Sequence, residues 1–422
     1  MNTLVDNKQI SVLFFLHNYD IGEYMSGIGL RIYELAQVLS NFYEVKILCK
    51  NNVKDHTKGI KFIQYGNDWK KSIASADVIF FNDMPFSEAI LYSKQLGKVV
   101  ISENAVPLEH LEYDTIMNSQ NNELIYKKII NDFSLQIKKS DYFIARSEIE
   151  YCTLLAVLTL SGRINYNLYS KNKLLSNLIT IIPIGYNKIS EINSRNSCNA
   201  SSDIDLVWSG GLWNYMDIEF LLNGLDYCIG KGISPFLTFM YKGDSTPPLA
   251  NYQLLQKYIQ RHPSNRIFFE HNEILHSQRD AYIKRAKALI CLGKNGIENK
   301  TCIRLRIRDT FLYEKPIIID NYGATTDLVR KFEIGYVVTN FSDFHFAVTD
   351  ILSNGKLYNT YCKNIKKCKQ KFLLDNNIDE LRTAIESLLK EPPVNNVFDD
   401  LHNKHNISLS NILYSYHSES NN

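Results

Sequence analysis

The first half of the chain alternates short apolar runs with stretches whose apolar residues recur at helical spacing. Ile10–Leu16 is almost wholly apolar, which is typical of a strand buried on both faces of a parallel sheet. Ile28–Leu39 then carries apolar residues along one helix face. Strands that alternate with helices indicate βαβ units and a doubly wound sheet. The pattern predicts further strands at Val45–Leu48, Val78–Phe81, Val99–Ile101, Tyr142–Ala145 and Thr180–Ile184.

The same alternation begins again after a polar interruption. Glu191–Asp203 is rich in Ser and Asn and has no apolar period, which predicts a linker. The predicted organisation is an N-terminal domain over 1–190, a linker over 191–203, a second domain over 204–375, and a C-terminal helix and tail over 376–422. The second domain is predicted to contain strands at Leu206–Trp208, Phe236–Tyr241, Ile267–Phe269, Ala288–Leu292 and Pro316–Ile319, with a helix at Ile218–Tyr227.

Chain length supports two domains, because 422 residues exceed what one hydrophobic core usually accommodates. The fold class we predict is therefore α/β, with two doubly wound, Rossmann-like domains facing a central cleft. Ligands of such sheets bind outside the carboxyl ends of the strands. The loops that follow the strands are thus where functional residues are expected.

Composition narrows the class of protein further. The net charge is +2, so no nucleic-acid partner is expected. The eight cysteines are scattered and none stands in CxxC spacing, which argues against a zinc site and a disulfide framework and favours a reducing compartment. The N-terminus does not resemble a signal peptide, and no apolar run approaches the ~20 residues of a membrane span. A cytoplasmic protein is the expectation.

A glycine-containing loop follows the first predicted strand. Gly27 and Gly29 lie just before a helix, where backbone N–H groups and the helix dipole favour an anion. A plain tight turn explains the same residues. The dinucleotide-binding fingerprint would place a third glycine at Ile32, and its absence disfavours a nicotinamide-dependent oxidoreductase.

Residues 295–309 carry the most informative polar pattern. Arg304, Arg306 and Arg308 alternate near the start of an apolar helix, where positive charge opposes the helix dipole. A bound diphosphate would neutralise these arginines and use the free N–H groups of the helix. The alternative is that the arginines are surface charges paired with nearby acids such as Glu298 and Asp309.

Other polar residues follow strands but form no clear motif. His17 follows the first strand, and Glu103, Glu109 and His110 follow the strand at Val99–Ile101, so each is a candidate for substrate contact or an ordinary loop residue. Asp203-Ile204-Asp205 imitates a metal-binding DxD, but it precedes a strand, and we interpret it as accidental. The lysine-rich run over 363–371 is interpreted as a solvated helix face, with contact to an anionic membrane as the sharper option.

Three blocks of sequence together resemble bacterial family-4 glycosyltransferases of the surface-polysaccharide type. The first is Asp141–Asn165, which has Ser-Glu after a strand and ends in Gly-Arg-Ile-Asn. The second is Val207–Asp217, with its Trp-Ser-Gly-Gly-Leu-Trp sequence. The third runs from Glu298 through Arg304-Leu305-Arg306 to Asp309. The resemblance extends over about residues 10 to 340.

This resemblance implies a GT-B fold, a nucleotide-sugar donor held mainly by the second domain, and transfer with retention to a saccharide or lipid-linked acceptor. No cofactor is expected, and no metal, because Arg304, Arg306 and Arg308 supply the positive charge that a divalent ion would otherwise bring to a diphosphate. The expected location is cytoplasmic, with peripheral contact at the inner face of the membrane as an option. Glu298 matches the acid expected near the donor sugar, and Asp309 the acid expected at the ribose. The predicted donor-binding residues are Gly27, Gly29, Gly210, Gly211, Arg304, Arg306 and Asp309, and the predicted catalytic candidates are Glu298, Glu103 and His17.

The chain departs from the family pattern at two strand ends and one helix end. An Asp-x-x-Asp-Pro segment is replaced by residues 103–107, Glu-Asn-Ala-Val-Pro, so only Glu103 has an acidic counterpart. The usual Ala-Gly-x-Pro becomes Tyr-Glu-Lys-Pro at 313–316, and the usual Gly-Asp becomes Gly323-Ala324. The alternative interpretation is therefore an inactive GT-B subunit that binds a nucleotide-sugar or a partner transferase.

Overall fold

Two parallel β-sheets, each flanked by helices, form the protein, as the sequence predicts. A computed structural model describes residues 9–53, 57, 59–104, 106, 108–196, 203–242, 249–263, 266–270 and 274–390. Of the predicted C-terminal segment, residues 391–422 lie outside this part of the chain. The statements below concern the described residues.

The N-terminal sheet contains seven parallel strands in the order β3-β2-β1-β4-β5-β6-β7 within the described residues. The order reverses at β1, which pairs with both β2 and β4, so the sheet is doubly wound. β3 was not predicted, because this edge strand is mostly partly or fully exposed, and Lys61 and Gln64 interrupt its apolar residues. The strands are β1 (Ser11–Leu16), β2 (Glu44–Cys49), β3 (Ile60–Gln64), β4 (Val78–Asn82), β5 (Val99–Glu103), β6 (Tyr142–Ala145) and β7 (Ile179–Ile181).

Helices cover both faces of this sheet. The first helix begins at the predicted glycine loop, where the Ser26 hydroxyl accepts a hydrogen bond from the Gly29 N–H at 3.2 Å. A short 3₁₀ helix at Glu109–Glu112 follows β5. The α-helices are α1 (Gly27–Leu39), α2 (Trp69–Ala74), α3 (Ser87–Gln95), α4 (Asp114–Met117), α5 (Asn122–Lys139), α6 (Glu148–Leu160), α7 (Tyr166–Lys171) and α8 (Lys188–Asn196).

The second sheet contains six parallel strands in the order β10-β9-β8-β11-β12-β13 within the same described residues, and it is also doubly wound. β8 and β11 lie at its centre and pair with each other. The glycine-rich block and the arginine-rich block therefore follow adjacent strands. The strands are β8 (Ile204–Trp208), β9 (Leu237–Phe239), β10 (Ile267–Phe269), β11 (Ala286–Cys291), β12 (Ile317–Ile319) and β13 (Gly335–Val337).

The helices that follow α8 belong mostly to this second sheet, but the last one returns to the first. Leu381, Ile385 and Leu388 of α17 are buried in the same core as β1 and β2. α17 therefore links the two domains, because it follows the second sheet in sequence and packs on the first. These helices are α9 (Ile218–Gly230), α10 (Ala250–Arg261), α11 (His276–Arg285), α12 (Ile297–Thr301), α13 (Ile307–Tyr313), α14 (Ala324–Phe332), α15 (Phe341–Leu352), α16 (Lys356–Cys368) and α17 (Asp379–Lys390).

The predicted linker begins with helical rather than irregular structure. α8 includes Glu191 through Asn196, the first six residues of the segment over 191–203. The Glu191 carboxylate accepts hydrogen bonds from Lys369 at 2.7 Å and from Arg195 at 2.9 Å, and these contacts replace an apolar helix face. A polar helix held by ion pairs leaves no apolar period, which is why the sequence pattern missed it.

Candidate active site

Contacts between the two domains bring the loops after β1, β5, β8 and β11 together. The buried carboxylate of Glu34 on α1 pairs with Arg308 on α13 at 2.6 Å. The Glu112 carboxylate accepts hydrogen bonds from the backbone N–H groups of Ile297 at 2.6 Å and Glu298 at 3.2 Å. These contacts hold the carboxyl edges of the two sheets against each other, so the predicted site lies between the domains.

Arg306 lies against the glycine pair that follows β8. Its guanidinium is 4.5 Å from the centre of the Trp208 ring and donates a hydrogen bond to the Gly211 carbonyl. A Cβ on Gly210 would stand 2.2 Å from Arg306 Nε, so only glycine allows this approach. Burial is the main cause that lowers the pKa of Arg306. The structure thus brings together three of the predicted donor-binding residues, Gly210, Gly211 and Arg306.

Arg304 is held beside Arg306 by polar groups of the same domain. Its Nη1 donates to Asp320 at 2.6 Å and to the Cys291 carbonyl at 3.0 Å, and its Nε donates to the Asn299 side chain at 2.7 Å. A Cβ on Gly293 would lie 2.7 Å from the remaining nitrogen, Nη2. A second glycine therefore makes room for a second guanidinium.

Both arginines keep a nitrogen without a protein partner. Among the described residues, Arg304 Nη2 and Arg306 Nη1 are buried and donate no hydrogen bond to the protein. Arg306 also forms no ion pair with a carboxylate of the described residues. A buried donor without an acceptor costs free energy, so an anionic ligand at this position would satisfy both nitrogens. The alternative of surface charges does not hold for Arg304 and Arg306, which are buried.

Arg308, the third arginine of the pattern, has a different environment. Its guanidinium pairs with Glu34 at 2.6 Å and with Asp309 at 3.1 Å, and it is buried. The interpretation of paired charge therefore fits Arg308, although the pair lies inside the molecule and joins the two domains.

Asp309 is fully buried in the second domain. Its side chain is 0% exposed and accepts hydrogen bonds from Arg279 at 2.6 Å, Ser209 at 2.8 Å and Arg308 at 3.1 Å. Both oxygens are thus engaged by protein donors. This geometry favours a positioning role for Asp309 over the predicted contact with ribose hydroxyls.

Gly27 and Gly29 are glycines for reasons of packing. A Cβ on Gly27 would lie 2.8 Å from Leu305 Cδ1 of the other domain, and a Cβ on Gly29 would lie 2.8 Å from the Asp20 carbonyl. The loop therefore faces the segment that carries Arg304 and Arg306. Contact between this loop and a donor phosphate stays a prediction.

Glu298 lies at the start of α12 and faces the N-terminal domain. Its side chain is buried, and its Oε2 has no partner among the described residues. Burial, followed by the nearby Glu109 carboxylate, raises the pKa of Glu298 well above its usual value. A carboxyl group that protonates this readily can donate a hydrogen bond to a sugar hydroxyl as well as accept one.

The other two catalytic candidates have structural partners. Glu103 is buried and pairs with Arg31 at 2.9 Å, and it accepts a second hydrogen bond from Asn82 at 2.6 Å. His17 lies among aromatic rings, 5.1 Å from Phe86 between ring centres, and burial lowers its pKa. The geometry gives no support to the catalytic roles predicted for Glu103 and His17, because partners distant in sequence occupy them.

A polar network at the ends of β4, β5 and β6 joins His110, which the sequence singled out, to residues that it did not single out. Asp83 accepts hydrogen bonds from Tyr19 and, at 2.8 Å, from Asn104, while His110 Nε2 lies 3.4 Å from Asp83 Oδ1. Arg146 contacts Asn104 at 2.5 Å. Asp83 and Asn104 have φ angles of 59° and 54°. Strained backbone at buried strand ends is characteristic of functional sites.

Neighbouring charges pair with both acids of Asp203-Ile204-Asp205 and with Lys369 of the lysine-rich run. Asp203 pairs with Arg285, and Asp205 pairs with Lys287 at 3.3 Å. Lys369 is buried between Glu191 and Glu314, and the lysines of α16 are its solvated neighbours. The DxD residues therefore have a structural explanation.

One group of possible metal ligands occurs among the described residues. Oxygen and sulfur atoms of Glu109, Glu298 and Cys302 lie within 4.8 Å of one another, and all three side chains are buried. Arg146 lies 3.4 Å from Glu109 and competes with a cation for this carboxylate. The sequence could not show this group, because its members come from both domains. Metal independence stays a prediction.

Comparison with solved structures places this architecture among known proteins. The chain is similar to sucrose-phosphate synthase from Thermosynechococcus elongatus, with 14% identity over 90% of this chain and 100% of that chain and a TM-score of 0.65. It is similar to HepE from Anabaena, crystallised with UDP-glucose, with 13% identity over 90% of this chain and 100% of that one and a TM-score of 0.60. For WaaG, a glycosyltransferase involved in lipopolysaccharide biosynthesis, identity is 11%, coverage 88% and 98%, and the TM-score 0.56.

The sequence matches no family profile and no curated protein. The two parallel-sheet domains and these neighbours define the fold as GT-B, which confirms the predicted fold class. At this level of identity the comparison establishes the fold alone. Among the described helices, none has the length and apolar character needed to cross a membrane.

Proposed function

We propose that this protein is a glycosyltransferase that moves a sugar from a nucleotide-sugar to a saccharide or lipid-linked acceptor, with retention of configuration. One observation carries the proposal. Two buried guanidinium groups, Arg304 and Arg306, lie beside a glycine pair with one unpartnered nitrogen each. A diphosphate offers the acceptors that these nitrogens lack.

The arginines would act on the leaving group. As the bond between sugar and diphosphate breaks, negative charge grows on the phosphate oxygens, and cations that are already fixed stabilise it without reorganisation. Asp320 and Asn299 fix Arg304, and Trp208 fixes Arg306. Retaining GT-B enzymes, which the sequence resembles, are thought to let the departing phosphate take the acceptor proton. No general base is assigned among the residues of this chain.

Glu298 would contact the donor sugar, since it follows the same strand as the arginines and its backbone N–H donates to Glu112 of the N-terminal domain. Support for a uridine nucleotide as the first donor to test comes from neighbours crystallised with UDP or a UDP-sugar. The free cysteines among the described residues agree with a reducing, cytoplasmic location. Surface-polysaccharide synthesis, with peripheral contact at the inner membrane face through the exposed lysines of α16, remains part of this proposal.

A survey of nucleotide-sugars tests the proposal. The purified full chain is heated with UDP-, GDP-, CMP- and dTDP-sugars, and release of free nucleotide is then measured with each one that raises the melting temperature. We expect one nucleotide class to stabilise the chain by mass action and to be turned over. A nucleotide-sugar that binds but is not turned over, whichever acceptor is added, would favour the inactive GT-B subunit. No binding of any nucleotide-sugar would contradict both the glycosyltransferase and the inactive subunit.

A further inference from the structure

Two carboxyl groups from opposite domains meet in the cleft. Oxygens of Glu109, in the 3₁₀ helix after β5, and Glu298, at the start of α12, lie within 4.8 Å of each other. Glu109 is 7% exposed and Glu298 is 8% exposed. Two carboxylates at this distance repel each other, so the pair holds a shared proton or a ligand that donates hydrogen bonds to both.

Polar atoms without partners point to a ligand between them. Glu298 Oε2 and His110 Nδ1 are buried and make no hydrogen bond within the described residues, whereas His110 Nε2 lies 3.4 Å from Asp83 Oδ1. His110 is 0% exposed, and its ring packs 4.5 Å from that of Tyr113. Glu298 belongs to the second domain and His110 to the first. A ligand with several hydroxyl groups would satisfy acceptors and donors at once.

The charge around the Glu109–Glu298 pair selects the chemistry of the ligand. Asp83, Glu109 and Glu298 supply three acids, and Glu112 adds a fourth at the N-terminus of α12. Arg146 is the cation among them, and its guanidinium is shared between Glu109 at 3.4 Å and Glu150 at 3.0 Å. A phosphate group would be repelled here, whereas a neutral hydroxyl would be accepted. The donor side, with Arg304 and Arg306, has the opposite sign.

We propose that the acceptor is an uncharged saccharide, bound through its hydroxyl groups by Glu109 and His110 on the wall opposite Glu298. This inference rests on the proposed glycosyltransferase function and narrows it, because it excludes a phosphate as the attacking group. A lipid-linked acceptor fits only if a neutral sugar is its reacting end. Glu109 and His110 then determine which acceptor is used, while Arg304 and Arg306 determine how the donor is held.

The experiment measures nucleotide release by the full chain from the donor found in the survey. The probes are a panel of octyl glycosides (glucoside, galactoside, mannoside and N-acetylglucosaminide) and undecaprenyl phosphate. We expect an octyl glycoside to accelerate release and undecaprenyl phosphate to have no effect. In Glu109→Gln, loss of a charged hydrogen-bond acceptor should raise KM for that glycoside about tenfold or more and leave affinity for the free nucleotide unchanged. Glu123→Gln, on the exposed face of α5, is the matched control and should behave as wild type.

Acceleration by undecaprenyl phosphate would overturn the proposal. So would an unchanged KM in Glu109→Gln, or a donor that is turned over at a rate that no glycoside changes. Failure of the proposed function gives a different result, since the wild type then binds no nucleotide or binds one without any turnover. If Glu109→Gln fails to fold, His110→Asn is measured in the same way, with the same expected rise in KM.

Discussion

At the scale of single residues, the arginines of residues 304–308 divide into three roles that the sequence pattern treats alike. Arg306 packs on the Trp208 ring and has no carboxylate partner among the described residues, Arg304 has the carboxylate of Asp320, and Arg308 has the carboxylates of Glu34 and Asp309. Spacing along the chain predicts that such residues meet at a helix start. It cannot show which distant carboxylate reaches each one, because those partners come from other strand ends and from the other domain.

Arg306→Ala is the most direct test of the donor role, because it leaves no buried carboxylate without its partner. We expect it to cost about 2–4 kcal/mol of transition-state stabilisation, the usual effect of losing one electrostatic donor. The measurement is kcat/KM for nucleotide release, with unfolding curves to verify the fold. Arg306→Lys keeps the charge but loses the planar guanidinium, so its activity should lie between those of the wild type and Arg306→Ala. Wild-type activity in Arg306→Ala would remove the arginine from the donor site.

Asp309→Asn separates a positioning role from a ribose contact. Replacing the carboxylate leaves Arg279 buried without this charge partner, while Arg308 keeps Glu34, and loss of a buried partner usually costs about 3–5 kcal/mol. We therefore expect a lower free energy of unfolding in urea. Asp327→Asn, at an exposed carboxylate on α14 that pairs with Arg330, serves as the matched comparison and should have a small effect. Weaker nucleotide binding with unchanged stability would instead restore the ribose role.

Glu298 predicts a pH dependence of stability. Its folded-state pKa is raised well above the usual 4.5, mainly by burial and then by Glu109. As pH rises through the unfolded value, the unfolded chain loses this proton while the folded chain keeps it, so stability falls with increasing pH until the folded pKa is passed. Glu298→Gln cannot ionise, and it should match wild type at low pH and exceed it near neutral pH. Denaturant titrations across this range measure the difference, and an identical pH profile in the variant would contradict the assignment.

At the scale of elements, apolar runs were the reliable signal and mixed patterns were not. Strands buried on both faces, such as β1, β4 and β8, were predicted because nearly every residue is apolar. The edge strand β3 and the polar helix α8 were missed, since exposure and ion pairs break the apolar period. α17 was predicted as a helix, but its packing on the first domain depends on tertiary contacts that no local pattern contains.

The packing of α17 gives a prediction with an internal control. Ile385 is 0% exposed and lies in the core of the N-terminal domain, whereas Leu389 on the same helix is 36% exposed. Ile385→Ala should lower the free energy of unfolding by about 2–5 kcal/mol, the usual cost of a core truncation. Leu389→Ala should have a small effect. Equal effects of the two substitutions in chemical denaturation would contradict the packing described for this helix.

At the scale of the whole molecule, the two domains meet with opposite charge on the two sides of one cleft. The second domain contributes Arg304 and Arg306, and the first contributes the wall with Asp83 and Glu109. The sequence predicted the two domains, the cleft and the arginines. It named Glu109 and His110 as loop residues, but it missed Asp83 and Arg146, because these follow other strands and only the sheet order brings them together. The catalytic roles of Glu103 and His17 stay predictions, and Arg31 and Phe86 reach these side chains from elsewhere in the fold.

The central claim is that the cleft binds a nucleotide diphosphate through Arg304 and Arg306, and calorimetric titration with UDP, GDP, CDP and dTDP tests it most directly. We expect one of the four to bind the wild-type chain with excess chelator present, and Arg306→Ala to weaken that binding by about tenfold or more, as expected when a charged hydrogen bond is lost. Absence of binding by all four, or equal affinity in the variant, would contradict the account. Binding that disappears in chelator and returns with magnesium would show that a metal holds the diphosphate instead of the arginines.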